Sequence, residues 1–216
     1  MGLKAQDSTN ADFDHQLFMG NKVTWAKGDW RYSAELQLRL YHDTRDLNMY
    51  YVEGVATYHA NDHIEIVPDM RFSVLPRRVE YRPGLGFIYK NLWWRNHLNQ
   101  LVHQVKWQGD IWSTGEFKNA LRYVLFYNLQ MNDKLLLTMA GGGLYRWSKT
   151  LTDFQFFRAM LGGSYSLTKK SRLTLSYFVG YENRSDYWAW IGGPIVQFTI
   201  NLDKDNTNVP AFYFNF

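Results

Sequence analysis

The chain has no cysteine in its 216 residues. That excludes disulfides, thiolate metal sites and cysteine nucleophiles together. It also has no run of about 18 apolar residues, so it contains no transmembrane helix. The net charge is +4, yet no basic run or stripe tracks a phosphate backbone, and nucleic acid is not an expected partner. A complete secretory signal is missing as well. Leu3-Lys4-Ala5 before Gln6-Asp7 has the form of the tail of a cleaved signal, so 1–11 reads as a leader and 12–216 as the folded domain.

What is present is aromatic. Trp, Tyr and Phe number 9, 15 and 14, together 18% of the chain, while the mean hydropathy is only −0.41. High aromatic content with low mean hydropathy is expected of a membrane β-barrel, because every second residue faces away from lipid. The length suits one domain, or a barrel of roughly ten to fourteen strands of about ten residues each.

Alternation is most regular from Trp30 to Tyr41. Trp30, Tyr32, Ala34, Leu36, Leu38 and Leu40 share one face; Arg31, Ser33, Glu35, Gln37, Arg39 and Tyr41 share the other. Period two over that length means a strand with two chemically distinct faces. The same reading predicts strands at 12–26, 48–59, 63–74, 80–90, 92–106, 117–129, 134–145, 154–167, 172–182, 188–202 and 209–216. Pro68 removes one ladder hydrogen bond and predicts a bulge or local distortion. Connections after the odd strands read as short turns and those after the even strands as longer loops. The expected fold is therefore all-β: a single antiparallel up-and-down transmembrane barrel of about twelve strands, with both termini periplasmic.

Period two does not say which face points inward, and a soluble barrel or sandwich gives the same alternation. Three features favour the membrane reading. Lysines cluster in turns (Lys27, Lys134, Lys169, Lys170, Lys204) while the polar strand faces carry mainly arginine with acids, as enclosed paired charges prefer. Trp25, Trp30, Tyr50, Tyr58, Trp94, Trp107, Trp188 and Trp190 fall near predicted strand ends, where interfacial girdles form. Phe212, Phe214 and Phe216 alternate on one face of the last predicted strand, which would lie against lipid and pair with 12–26 to close the sheet.

Trp30-Arg-Tyr-Ser-Ala-Glu-Leu-Gln-Leu-Arg-Leu40, Asn119-Ala-Leu-Arg-Tyr-Val-Leu125, and Gly163-Ser-Tyr-Ser-Leu-Thr-Lys-Lys170 followed by Leu173-Thr-Leu-Ser-Tyr-Phe-Val-Gly-Tyr181 carry a resemblance over most of the chain. They resemble a Bacteroidota outer-membrane barrel family catalogued as a domain of unknown function, number twenty-four-ninety. The resemblance implies an outer-membrane location in a Gram-negative bacterium, contact with lipid and lipopolysaccharide, and the barrel fold. It brings no catalytic residues. By resemblance to outer-membrane barrels, the terminal Phe216 is also the signal read by the barrel-assembly machinery.

Catalytic chemistry finds little support. The His-x-Ser-Asn-Gly spacing of phospholipase-type barrels is absent. His42-Asp43 with Asp46 lies where an omptin-like protease keeps its rim carboxylates, but an exposed His-Asp loop pair is usually solvated; Ser73 and Ser113 are nucleophile candidates only by proximity to loops. His59 and His63 flank a turn, and with Asp62 carry the atoms a metal site needs; the plainer reading, a polar hairpin foot, is adopted. Asp203-Lys-Asp-Asn-Thr-Asn208 lacks the central Gly and terminal Glu of a calcium loop. No catalytic residue, metal or cofactor is expected.

The polar faces are more substantial. Arg31, Glu35, Arg39, Glu53, Glu65, Asp69, Arg71, Arg82, Arg122, Arg158, Arg172 and Glu182 would point into the lumen. Paired, they seal it; with arginine in excess, they line a narrow anion-favouring channel. The expected role is a non-enzymatic structural or accessory subunit of a larger outer-membrane complex. The channel is the alternative, and a lipid-modifying or proteolytic barrel enzyme the second alternative.

Overall fold

The computed structural model describes residues 13–91, 99–148, 152–184 and 187–203. They form β1 (Asp14–His15), β2 (Leu17–Lys27), β3 (Trp30–Tyr41), β4 (Asp46–His59), β5 (Ile64–Leu75), β6 (Arg78–Asn91), β7 (Asn99–Trp112), β8 (Phe117–Gln130), β9 (Leu135–Trp147), β10 (Thr152–Ser166), β11 (Ser171–Asn183) and β12 (Trp188–Asn201). Each strand from β2 to β12 is antiparallel to the next, and β12 pairs back onto β2. The result is a closed barrel with an eleven-stranded wall, and the short β1 lies against β12 outside that count.

The all-β up-and-down barrel is as the alternation implies, with an eleven-stranded wall where about twelve strands were expected and the two-residue β1 outside it. Closure is achieved differently. Each hairpin reverses direction, so in a wall of eleven the first and last strands run the same way, and β12 pairs with β2 in parallel from Ile195↔Phe18 to Asn201↔Thr24. The edge of β2 reserved for 209–216 is therefore already filled. Phe212, Phe214 and Phe216 lie outside the described residues. The start of β2 and the end of β12 consequently sit at opposite rims.

We call rim A the end bearing the connections 28–29, 60–63, 131–134 and 167–170, and rim B the end bearing 42–45, 76–77 and 113–116. Among the fully described connections there is no contrast between short and long ones: those at both rims run from two to four residues. Strands run further than the alternation indicated, β7 reaching Trp112 and β9 Trp147, and they consume the residues assigned to long loops. The sixth strand is displaced most: expected at 92–106, it is found at Asn99–Trp112.

Pro68 acts as its chemistry requires. The β4–β5 ladder pairs Val55↔Asp69 and resumes at Tyr58↔Ile66, so pairing lapses opposite Val67-Pro68 while the register is kept. The β6–β7 ladder lapses likewise between Tyr81↔Ile111 and Gly84↔Gln108, around Pro83. A proline has no N–H to give, and each site loses local bonding without a slip.

The two faces of the wall are inverted relative to a soluble protein. Leu161, Leu175 and Leu85 point outward at 61%, 54% and 53% exposure, whereas Glu65, Glu53 and Arg71 point inward at 0%, 1% and 1%. A soluble barrel places such leucines inside. Inside, charged residues share the space with an apolar cluster that includes Phe18, Val67, Ile88, Val102, Val124, Phe126, Phe156 and Phe178.

The seam between β12 and β2 is held by more than its ladder. Gly193 approaches the backbone at Gln16 so closely that a Cβ there would lie 1.7 Å from Gln16 O. The neighbouring Gly192 O accepts a 2.8 Å bond from Gln16 N, where β1 breaks from β2. Asp14 then clamps both flanking turns. Its carboxylate accepts from Asp43 N at 3.3 Å and from Arg184 Nη2. Thr44 N adds a 3.1 Å bond to His15 O. His42, Asp43 and Thr44 all have positive φ, 51°, 56° and 64°, a conformation costly for a β-branched threonine and held by these bonds.

Candidate functional site: a charged interior and an arginine-lined cavity

Inward side chains follow from strand parity, and their charges assemble into three linked groups. Near rim A, the buried Glu65 meets His59 Nδ1 at 2.9 Å and Lys90 Nζ. At mid-height, Glu53 lies 3.2 Å from Arg71 and 3.8 Å from Lys106, and Lys106 lies 2.7 Å from Asp69. Gly84 makes room for that last pair: a Cβ would fall 2.6 Å from Asp69 Oδ1 and from Lys106 Cε. A second mid-height chain runs from Lys22 to Glu35 (3.6 Å), with Gln37 Nε2 donating to Glu35, Arg39 Nε donating to Gln37 at 2.7 Å and Tyr51 donating to Glu35 at 3.3 Å.

The third group lies toward rim B. Arg82 bridges Glu80 and Asp110, each at 2.6 Å, and Arg146 reaches Asp110 at 2.7 Å. Trp112 Nε1 donates to Glu80 at 2.9 Å, and the Arg78 guanidinium lies 3.6 Å from the Trp112 ring centroid. Above these side chains a cavity of about 230 Å³ opens toward rim B, lined by residues that include Arg39, Arg78, Glu80, Arg82, Trp112, Arg122, Arg146, Phe156, Arg158 and Glu182.

Below it the interior is filled. Phe18, Tyr51, Arg71, Ile88, Val102, Arg122, Phe126, Phe178 and Ile191 are among the large side chains with essentially no accessible surface. They come from β2, β4 to β8, β11 and β12. Arginines stack on rings here, Arg71 over Tyr51 at 3.9 Å and Arg39 over Phe18 at 4.4 Å, joining the charged groups to the apolar cluster.

Of the twelve charges assigned to the lumen, Glu35, Arg39, Glu53, Glu65, Arg71, Arg122, Arg158 and Arg172 are buried in the interior. Asp69 and Arg82 join the ion pairs above, and Glu182 faces Arg158 at 3.4 Å. Arg31 is half-buried at the rim A end of β3, and Arg172, near the same rim, donates to Ser166 at 3.3 Å. Sequence reasoning missed Lys22, Glu80, Lys90, Lys106, Asp110 and Arg146. Lys106 and Asp110 were hidden by the misplaced sixth strand; parity counted outward from Val105 and Trp107 puts Lys106, Gln108 and Asp110 on the inner face.

The aromatic residues form two outer groups. Trp25, Tyr32, Trp30 and Tyr58 are in ring contact beside rim A, with centroids 5.1 to 6.2 Å apart. Trp188 and Trp190 join Tyr181 and Phe157 beside rim B. Tyr50 is exposed on the outer face of β4. Trp107 is also outward but lies within the length of β7 rather than at its end. Trp94 lies outside the described residues.

The remaining candidates are dispersed. His42 and Asp46 form an exposed 3.0 Å pair. Ser73 is fully enclosed, and Ser113 Oγ accepts from Val79 N at 3.1 Å. His59 turns inward to Glu65, whereas His63 donates to the Lys90 carbonyl at 2.9 Å. Among the described residues no group of three or more such side chains has the disposition to hold a metal. At the seam, burial works against the Arg184 charge, but the hydrogen bond to Asp14 together with the charges of Asp14 and Glu182 raises that guanidinium above its ordinary pKa.

No family model and no curated protein matches this chain. Among solved structures it is similar to the NanC porin, at 11% identity and a TM-score of 0.54, with 82% of this chain and 90% of that one covered. At that identity the likeness extends to the fold, a porin-like closed β-barrel.

Proposed function

We propose that this chain is a non-enzymatic outer-membrane β-barrel of a Gram-negative bacterium, serving as a structural or accessory subunit of a larger outer-membrane complex. An apolar outer face between two aromatic groups supports membrane insertion, since lipid accepts that surface and water does not. The porin-like fold supports the same location.

The observation that carries the non-conducting role is the interior. Arg71, Glu53, Phe126 and Phe178 are at most 1% exposed although they face the lumen, and an open pore would wet them. The barrel's outer face is then its working surface, toward lipid, lipopolysaccharide and a protein partner, after folding by the barrel-assembly machinery. No cofactor enters this reading. Reconstitution in a planar bilayer tests it: no conductance steps are expected, and stable anion-selective steps would replace it with the channel reading, which the arginine excess near rim B favours. Native co-purification tests the accessory role, and a lone monomer under gentle extraction would count against it.

A further inference from the structure

Hydrocarbon tolerates few ionisable side chains, and the outer face of this wall carries almost none. Among the described residues of β2 to β12, strand parity turns two Asp, Glu, Lys, Arg or His side chains outward. One is Lys27, the last residue of β2, opposite Trp30. The other is His103, within β7, flanked across the ladders by Tyr89 and Leu125. It lies four residues from Asn99, the rim A end of β7, which is about 10 Å along the barrel axis at the rise and tilt of a barrel strand. On the same reckoning the 14 residues of β7 span about 33 Å, against an apolar band about 25 Å tall. His103 therefore sits near the rim A edge of that band, where headgroup oxygens come within a side chain's reach.

His103 is not isolated. Its Nδ1 lies 2.9 Å from the Tyr123 hydroxyl. The Tyr89 and Tyr123 rings flank it, each with its centroid 6.2 Å away, and His63 stacks on Tyr89 at 6.3 Å beside rim A. Tyr89 and Tyr123 are both exposed. The His103–Tyr123 pair shares one hydrogen and keeps another. If Tyr123 donates to Nδ1, the ring carries its own hydrogen on Nε2; if Nδ1 donates, the Tyr123 hydroxyl hydrogen remains. Neither side chain makes a further hydrogen bond, and the outward neighbours Leu101, Val105 and Leu125 offer no acceptor. A polar hydrogen without an acceptor is costly on a lipid-facing wall.

We propose that Tyr89, His103 and Tyr123 form a binding site for the phosphate of a membrane phospholipid. This rests on the membrane setting proposed above and adds a named contact to it. A phosphate oxygen is a charged acceptor, so it takes the spare hydrogen better than an ester carbonyl does. The Tyr89 hydroxyl supplies a second donor on the same side. The three rings also present apolar surface to the acyl chains below the headgroup. The cluster holds donors and no carboxylate, which matches a phosphate and not a cationic partner.

Native mass spectrometry of the full chain in detergent micelles tests this, with phosphatidylglycerol and diacylglycerol of matched acyl chains as separate probes. Retention of phosphatidylglycerol well above diacylglycerol is expected. His103→Leu is expected to weaken phosphatidylglycerol binding about tenfold, the scale of a lost hydrogen bond to a charged group. Tyr123→Phe removes the partner hydroxyl and is expected to weaken it as well, and it serves as the comparison if His103→Leu does not fold. His103→Gln keeps an N–H donor and is expected to retain more lipid than His103→Leu. Tyr177→Phe removes an exposed hydroxyl from the outer face of β11 and is expected to bind as the unaltered chain does. Equal retention of the two lipids would overturn the proposal. Equal retention of phosphatidylglycerol by His103→Leu and Tyr177→Phe would overturn it too, indicating an annular lipid coat without a site. Insertion into lipid vesicles is read separately. Failure to insert would remove the membrane reading and the site together, whereas insertion without phosphate preference would remove the site alone.

Discussion

Arg71 Nη2 lies 3.2 Å from Glu53 Oε1, and both side chains are 1% exposed. The pair sits between Lys106 on one side and the Tyr51 ring on the other. Removing one partner of a buried pair leaves an uncompensated charge, which costs about 3–5 kcal/mol. Glu53→Gln is therefore expected to lower the midpoint of denaturant unfolding sharply, with Arg71 and Lys106 left to repel. The double change Glu53→Leu with Arg71→Met is expected to be milder than the single one. A double variant less stable than Glu53→Gln would show that the network is worth more than its charge balance.

Gly84 separates packing from charge. Its missing Cβ leaves room for the Lys106–Asp69 pair, whereas Gly54 on the outer face has nothing within 4 Å of the corresponding position. Gly84→Ala is expected to destabilise by about 1–3 kcal/mol, the range for overpacking. Gly54→Ala is expected to change stability little. Equal effects on the unfolding midpoint would mean that the pair moves aside freely.

The seam is expected to open first. The β12–β2 ladder has seven residue pairs, against thirteen between β11 and β12, so the bonds around Asp14 carry a larger share of its stability. Asp14→Asn weakens the charged grip on Arg184 while leaving the wall intact. Hydrogen exchange should then quicken in β2 and β12 well before β6 to β8. Uniform quickening around the wall would contradict a local seam.

Leu161, the most exposed leucine among the described residues at 61%, reports on lipid contact. Leu161→Arg is expected to reduce the stability of the membrane-inserted barrel by about 2–4 kcal/mol if it lies at bilayer mid-depth. Thr168→Arg, in the connection between β10 and β11, is expected to have little effect. Folding into lipid vesicles at graded urea concentrations measures both. Equal tolerance of the two changes would argue against a hydrocarbon setting.

The strand pattern was legible because a period of two needs only local sequence. Trp30 to Tyr41 announced both faces, and the parity that put Glu35, Arg39, Glu53 and Arg71 together on polar faces is the parity of the folded wall. Less legible were strand limits. Turn-prone residues at 109–110 and the poorly alternating stretch from His97 concealed β7, and with it Lys106 and Asp110.

Sequence alone thus determined that the chain forms strands with an apolar and a charged face, because side-chain direction along a strand is fixed by backbone geometry. Closure needed the tertiary structure. Whether 188–201 turns back onto Leu17–Lys27 depends on the number of strands and on Gly193 meeting Gln16 across the seam. The same holds for the site. Composition supplies arginines and acids, but which arginine meets which carboxylate depends on register between strands far apart in sequence. Arg146 finds Asp110, and Arg158 keeps donors unused above Phe156, because curvature of the closed wall sets those distances and periodicity does not encode them.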